Sequence, residues 1–392
     1  MFDTLLIGTS GLLANAQGLK IVSNNLANVN TPGFKGSQLQ FSDLFEQGSN
    51  GGQSHSSSGI GVETLGAALN FKPGADQTTG NAMDQSINGN GMFTVAREGE
   101  LFYTRAGDFQ FNSDNELTNS AGDHVQALGS GGELSDVTLA GLERSLPKAT
   151  STVTVTGNLT TTVADPVVNA KLNAVTIIDP EGGSHTVNLV FKDTGSGGYG
   201  VTITDGVLNG AELGTGALKF AGGAPVTGSS KITFKYSNST VPAFEVTLDF
   251  TEHVNALPTA TTLAVLSQDG HVAGVRTDQT IDADGTITVH YSNGQTVKGP
   301  RLALAQFGTT ADLVAAGGGA FAKSDGGQVV YGYADSESFG KLLAGHREGS
   351  NVDLAEEFSN LILMQRGYQA SSHVISTAND MIQELFDMKG HR

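Results

Sequence analysis

A glycine-rich run, Gly195-Ser196-Gly197-Gly198-Tyr199-Gly200, fits the Gly-x-Gly-x-x-Gly pattern that seats a dinucleotide pyrophosphate. That chemistry needs a helix straight after the loop, so that its N-terminal N–H groups meet the phosphates. Val201-Thr202-Ile203-Thr204 follows instead, a β-branched run that predicts a strand and turns the motif into a hairpin loop. Asp278, Asp282 and Asp284 precede Gly285 in the manner of a calcium loop, but the twelve-residue arrangement closed by Glu is missing. Asp284-Gly285 predicts a hairpin turn. The nine histidines, scattered from His55 to His391, show no His-Glu-x-x-His or other ligand spacing. No Gly-x-Ser-x-Gly elbow occurs, and there is no cysteine for a thiolate site, a nucleophile or a disulfide. The expectation is a protein without catalytic residues, metal or cofactor. The missing cysteines are either chance or an advantage to a chain that crosses an oxidising compartment unfolded.

The surrounding chain has 392 residues, long enough for two or three domains. It is 38 % hydrophobic, sufficient for packed cores, but only 15 % charged, and its 53 glycines against 9 prolines suit many tight turns. A net charge of -18 without a cluster of Lys and Arg argues against a nucleic-acid surface. No apolar run approaches the ~18 residues that span a bilayer, so no membrane insertion is expected. Met1 to Gly11 has no basic region ahead of a hydrophobic core and contains Asp3 and Gly8, which argues against a cleaved signal peptide.

Leucine recurs every seventh residue at Leu5, Leu12, Leu19 and Leu26, which predicts a helix from Phe2 to about Val29, stopped by the Asn, Pro and Gly that follow. Residues 36–75 read as a linker or extended segment, with a flexible loop from Ser49 to Gly61. From 76 to 146 short alternating runs, Met92–Val95, Leu101–Thr104 and Asp108–Phe111, predict an antiparallel sheet. Residues 147–283 are rich in Thr, Val, Gly and Asn and predict a β-sandwich or barrel inserted into that sheet domain, which resumes over 284–350. A second helix is expected from Asn351, as N-cap, to Met388. Leu354, Leu361, Tyr368, Ile375 and Ile382 lie every seven residues along it, with Met364, Ala378 and Leu385 at the companion position. Such terminal stripes either fold onto their own body or pair with one another or with neighbouring subunits, since isolated helices are marginal in water.

Ser23 to Lys35 closely resembles the N-terminal signature of the flagellar rod and hook protein family, through Asn25, Ala27, Asn28, Thr31, Gly33, Phe34 and Lys35. Glu348 to Phe358, with Asn351 and Val352, and then Gln365, Arg366, Gly367, Tyr368 and Gln369, resemble its C-terminal signature. Ile87 to Val95 is similar to rod and hook members alike, whereas Tyr291 to Gln295 followed by Leu302 to Phe307 resembles the hook members, as does the presence of the middle insertion. The resemblance implies a mainly β, multi-domain body with coiled-coil-like polymerisation helices at 1–35 and 351–392, and a non-enzymatic subunit that assembles with itself into a tube. It further implies export by the flagellar type III apparatus, a place outside the cell in the hook or basal body, and contacts with distal rod, hook cap and hook–filament junction proteins. A rod-like axial subunit is the alternative.

Overall fold

The computed structural model describes residues 2–46, 58–162, 170–207, 210–237, 241–309 and 312–390. The chain forms two compact units, one of residues 1–140, 280–288 and 298–392 and the other of 141–279 and 289–297. The second unit therefore starts a little before the expected residue 147, and it takes up the additional short segment Val289–Val297.

That second unit follows from strict alternation. Along Lys231–Tyr236, Ile232, Phe234 and Tyr236 are buried while Lys231, Thr233 and Lys235 are exposed, and Gly198–Asp205 buries Tyr199, Val201 and Ile203 in the same way. One sheet orders the strands Ala170–Ile178, Ser184–Gly195, Gly198–Asp205, Glu212–Ala221 and Ala224–Pro225, all antiparallel to their neighbours. A second sheet gathers Lys231–Tyr236, Phe244–Asp249, Thr152–Thr160, Val254–Leu257 and Ala264–Gln268. Inward residues of both join a single core around Val153, Ile177, Leu189, Phe191, Leu248 and Phe250. The glycine-rich motif is the hairpin loop between its two flanking strands, with Gly195, Ser196 and Gly197 all at positive φ.

In the first unit a ten-stranded sheet runs from Leu313–Gly317 through Ala320–Lys323, Glu100–Thr104, Met92–Arg97, His124–Leu128 and Leu117–Thr118 to Gln110–Phe111. Strand Leu304–Phe307 also pairs with Met92 and Phe93, so chain from both sides of the insertion is hydrogen-bonded in one sheet. Residues 36–75, expected as a linker or extended segment, include paired strands. Ser37–Glu46 (β1) and Ser58–Leu69 (β2) form a long antiparallel ribbon, with register from Ser37↔Leu69 to Glu46↔Ser58. Most of the loop expected at 49–61 lies outside the described residues, and 58–61 belong to β2.

The terminal helices are Phe2–Ala27 (α1) and Leu354–Gly390 (α2). Asp353, not Asn351, caps α2: its Oδ1 accepts from the N–H groups of Ala355 at 2.8 Å and Glu356 at 3.2 Å. Asn351 is occupied elsewhere, as described below. Over Asp3–Ala27 the mean hydropathy reaches 1.2, enough in length and composition to cross a membrane, which overturns the expectation that no run is. The reason is that its glycines, alanines and leucines dilute single polar residues below notice. In this structure α1 lies against α2 and the β1–β2 ribbon.

Candidate functional site: the seam and root of the terminal helices

α1 and α2 are antiparallel. A Cβ added to Gly8 would lie 2.8 Å from Ile375, one on Gly11 2.9 Å from Ser371, and one on Gly18 2.7 Å from Met364, while one on Gly367 would meet Asn15 at 2.4 Å. Numbers fall on α2 as they rise on α1. The contact line of α1 thus steps through Gly8, Gly11, Asn15, Gly18 and Asn25, a three–four spacing in which absent side chains let the backbones approach. Leu5, Leu12, Leu19 and Leu26 lie one position further round and are half-buried. On α2, Met364 and Ile375 are on the line, Leu361 and Ile382 are half-buried and Ala378 is fully buried, whereas Leu354, Tyr368 and Leu385 are exposed at 39–49 %. The glycines that interrupt the leucine stripe are the helix contact itself.

Below the seam the two signature segments meet. Asn25 donates from Nδ2 to the Ser37 carbonyl and to Glu357 Oε1, both at 2.8 Å, and its Oδ1 accepts from the Ser37 N–H. Gly33, at φ 64°, approaches the Arg105–Ala106 backbone so closely that a Cβ would stand 2.3 Å from the Ala106 nitrogen; no other residue fits. Its N–H donates to the Glu348 carbonyl at 2.8 Å. Asn351 accepts from the Gly36 N–H at 2.8 Å and donates to the Asn70 and Lys72 carbonyls.

At the centre is a buried charge cluster. Lys35 Nζ donates to Glu348 Oε1 at 2.5 Å and to the Lys72 carbonyl at 2.9 Å. Glu348 Oε1 also accepts from the Gly74 N–H at 2.9 Å, and its Oε2 accepts from Arg105 Nη1 at 3.2 Å. Arg105 also donates from Nη1 to the Ile87 carbonyl at 3.2 Å and from Nη2 to the Gly89 carbonyl at 2.8 Å. Side-chain exposure is 1 % for Lys35, 5 % for Glu348 and 11 % for Arg105. Burial holds the Lys35 ammonium below its usual pKa, Glu348 partly offsets this, and Arg105 lowers it further. Burial likewise lowers Arg105, again against the pull of Glu348. Glu357 is raised by burial, with the Asn25 bond working against the rise and Glu356 adding to it.

Of the signature residues, Asn25, Gly33, Lys35 and Asn351 converge on this root. Asn28 and Thr31 bond within the turn after α1, Phe34 is half-buried with its carbonyl accepting from Asn351, and Val352 stands near Gly36. Ala27, Gln365, Arg366 and Gln369 are exposed, and Gly367 is on the seam. Arg105 falls outside both signatures, and Glu348 and Glu357 fall inside the C-terminal one without being marked there as buried partners. Their neighbours, Thr104 and Ala106, Arg347 and Gly349, and Glu356 and Phe358, do not mark a charged residue for burial. Among the described residues no group of three or more His, Asp or Glu could hold a metal ion. The arrangement joins the two ends of the chain.

Comparisons with known proteins give matches at both ends of the chain and in its first sheet. Residues 5–35 match the model described as "Flagella basal body rod protein", 86–176 the "Flagellar hook protein FlgE/F/G D1 domain", and 343–388 the "Flagellar basal body rod FlgEFG protein C-terminal". The chain belongs to the flagellar rod and hook family. Its full-length relatives are hook proteins: "Flagellar hook protein FlgE" of Escherichia coli is 28 % identical over 97 % of this chain and 98 % of its own. The protein of the same name from Borreliella burgdorferi is 29 % identical over 99 % of this chain and 100 % of its own. A solved Helicobacter pylori flagellar hook protein FlgE2 covers 68 % of this chain and 98 % of its own at 14 % identity and TM-score 0.49.

Proposed function

We propose that the protein is the structural subunit of the flagellar hook, polymerising with itself into a curved tube that couples rod to filament and transmits torque. The observation that carries this reading is the pairing of the chain's two ends into one antiparallel helix unit whose outer face stays apolar. Phe358, Ile362, Leu363 and Phe386 are exposed at 51–65 % on α2, and Leu13 at 67 % on α1. A single chain leaves that surface in water, which marks it for protein contacts. In the tube, segments 1–35 and 351–392 act as coiled-coil-like polymerisation helices forming an inner wall, with the leucine positions and Leu354, Tyr368 and Leu385 turned to neighbours. The sheet domain of 76–146 and 284–350 surrounds them. The family resemblance supports export by the flagellar type III apparatus without a cleaved signal, and partners that include distal rod, hook cap and hook–filament junction proteins. The full-length hook relatives and the inserted unit favour hook over rod.

Electron microscopy of concentrated, purified protein tests the reading: curved tubes are expected, and straight tubes or none would overturn it. Leu361→Asp, which places a charge where burial without a partner costs several kcal/mol, should abolish tubes while the inserted unit keeps its melting transition. Normal tubes from that variant would remove Leu361 from the polymerisation surface.

A further inference from the structure

Glu357 carries a feature that the root of the helices does not use. Its Oε1 accepts from Asn25, but Oε2 is buried and has no hydrogen-bond partner, and the residue as a whole is 9 % exposed. A buried acceptor left unmade is costly, and more so for a charged group. Glu357 lines a cavity of about 200 Å³ together with Glu356 and Asn360 of α2, Gly18 and Ile21 of α1 and Gln38 of β1. Its lining residues include two carboxylates and no Lys, Arg or His. The space therefore suits a cationic donor that this chain does not place there.

Among the described side chains of the two helices, the full cations are Lys20 and Arg366, both exposed and neither in an ion pair. Lys20 follows Gly18 by two residues, about 200° round α1, and so stands on the side away from the seam. Arg366 lies nine residues beyond Glu357 on the same helix, about 13.5 Å along the axis, so its own side chain does not reach back. Its planar guanidinium offers several donors in a fork that matches carboxylate pairs.

We propose that the Arg366 guanidinium of a second copy of this chain enters the cavity and donates to Glu357 Oε2 and to the Glu356 carboxylate. The inference rests on the homopolymer reading and adds to it a specific electrostatic latch between copies. It gives the exposed Arg366 a partner and completes the hydrogen bonding of Glu357.

The chain has no cysteine, so single thiols are unambiguous reporters. Gln38→Cys and Gln369→Cys keep both charges in place, one at the cavity and one a helical turn from Arg366. Tubes assembled from a mixture of the two variants and treated with a short bismaleimide should yield covalent dimers on a denaturing gel, and unassembled protein should not. Arg366→Glu should raise the protein concentration needed for polymerisation by about tenfold or more, as expected for a truncated interfacial charge pair. Adding Glu356→Arg to that variant should recover most of the loss, which a merely structural role for Arg366 would not do. Tubes from Arg366→Glu at the wild-type concentration, or no covalent dimers in well-formed tubes, would overturn the latch while leaving the hook reading intact. Failure of the unmodified protein to form tubes would overturn the homopolymer reading, and this inference with it.

Discussion

In the inserted unit, Leu189, Phe191, Leu248 and Phe250 are essentially fully buried, and the core cluster they belong to consists of apolar and tyrosine side chains drawn from two sheets. Around Glu348 the first unit buries two cations, one carboxylate and the Lys72, Ile87 and Gly89 carbonyls, drawn from segments far apart in sequence. An apolar core is held by area removed from water, which is non-directional and tolerates exchange of one hydrophobic group for another. A buried charge cluster gains little net stability, but removing one member leaves the others desolvated and unpaired. The difference teaches where each unit is fragile. The sandwich fails in proportion to the volume removed, whereas the root fails at single atoms, and the root holds the ends of the chain.

The sharpest break in that comparison is Glu348→Ala, which strands Lys35 and Arg105 as two buried cations without a counter-charge. A loss of about 3–5 kcal/mol is expected. Calorimetry should show the transition of the first unit falling while that of the inserted unit stays, and hooks should be lost. A joint shift of both transitions would show that the units do not unfold separately. Next in size is Leu248→Ala, a cavity in a side chain that is 0 % exposed, at about 2–5 kcal/mol. Here the inserted unit should melt earlier while tubes still form at temperatures below its transition, and loss of tubes at those temperatures would give that unit a part in holding the tube together.

The smallest expected effect is electrostatic and belongs to the inserted unit. Burial alone would raise the Asp269 carboxyl. Hydrogen bonds from the Ser151 hydroxyl and the Thr152 and Ser151 N–H groups, with Lys148 beside it, bring it down to about 2. A depressed carboxylate means that the unfolded chain binds more protons, so its stabilising contribution is complete above the ordinary value of 3.8 and is lost as pH falls toward 2. The side chain is 30 % exposed, so solvent screens the effect. Asp269→Asn should lower the melting temperature of the inserted unit near neutral pH, and the gap from wild type should close below pH 3. A gap that persists at pH 2 would assign the loss to geometry rather than charge.

Much of the layout was legible in the residues. Period-two runs such as Lys231 to Tyr236 and seven-residue stripes at both ends are local patterns, and strands and helices are the local answers to them. Asp284-Gly285 and the glycine-rich run fixed turns because only particular residues accept positive φ there. The β1–β2 ribbon escaped because β1 carries little clean alternation and its partner lies beyond a polar loop. The capping residue of α2 was misplaced by two positions because Asn351 and Asp353 are equally good caps, and only the tertiary contacts of Asn351 with Gly36, Asn70 and Lys72 take it out of that competition.

By itself the sequence determined element types, the terminal helices, the presence of an insertion and the family signatures, because these depend on neighbours a few residues apart or on long ordered motifs. Only the tertiary structure decided that glycines rather than leucines form the seam between the helices. It also decided that Lys35 finds its counter-charge at Glu348, 313 residues away in sequence. Burial of a charge is a property of where distant segments meet, and no local pattern encodes that distance.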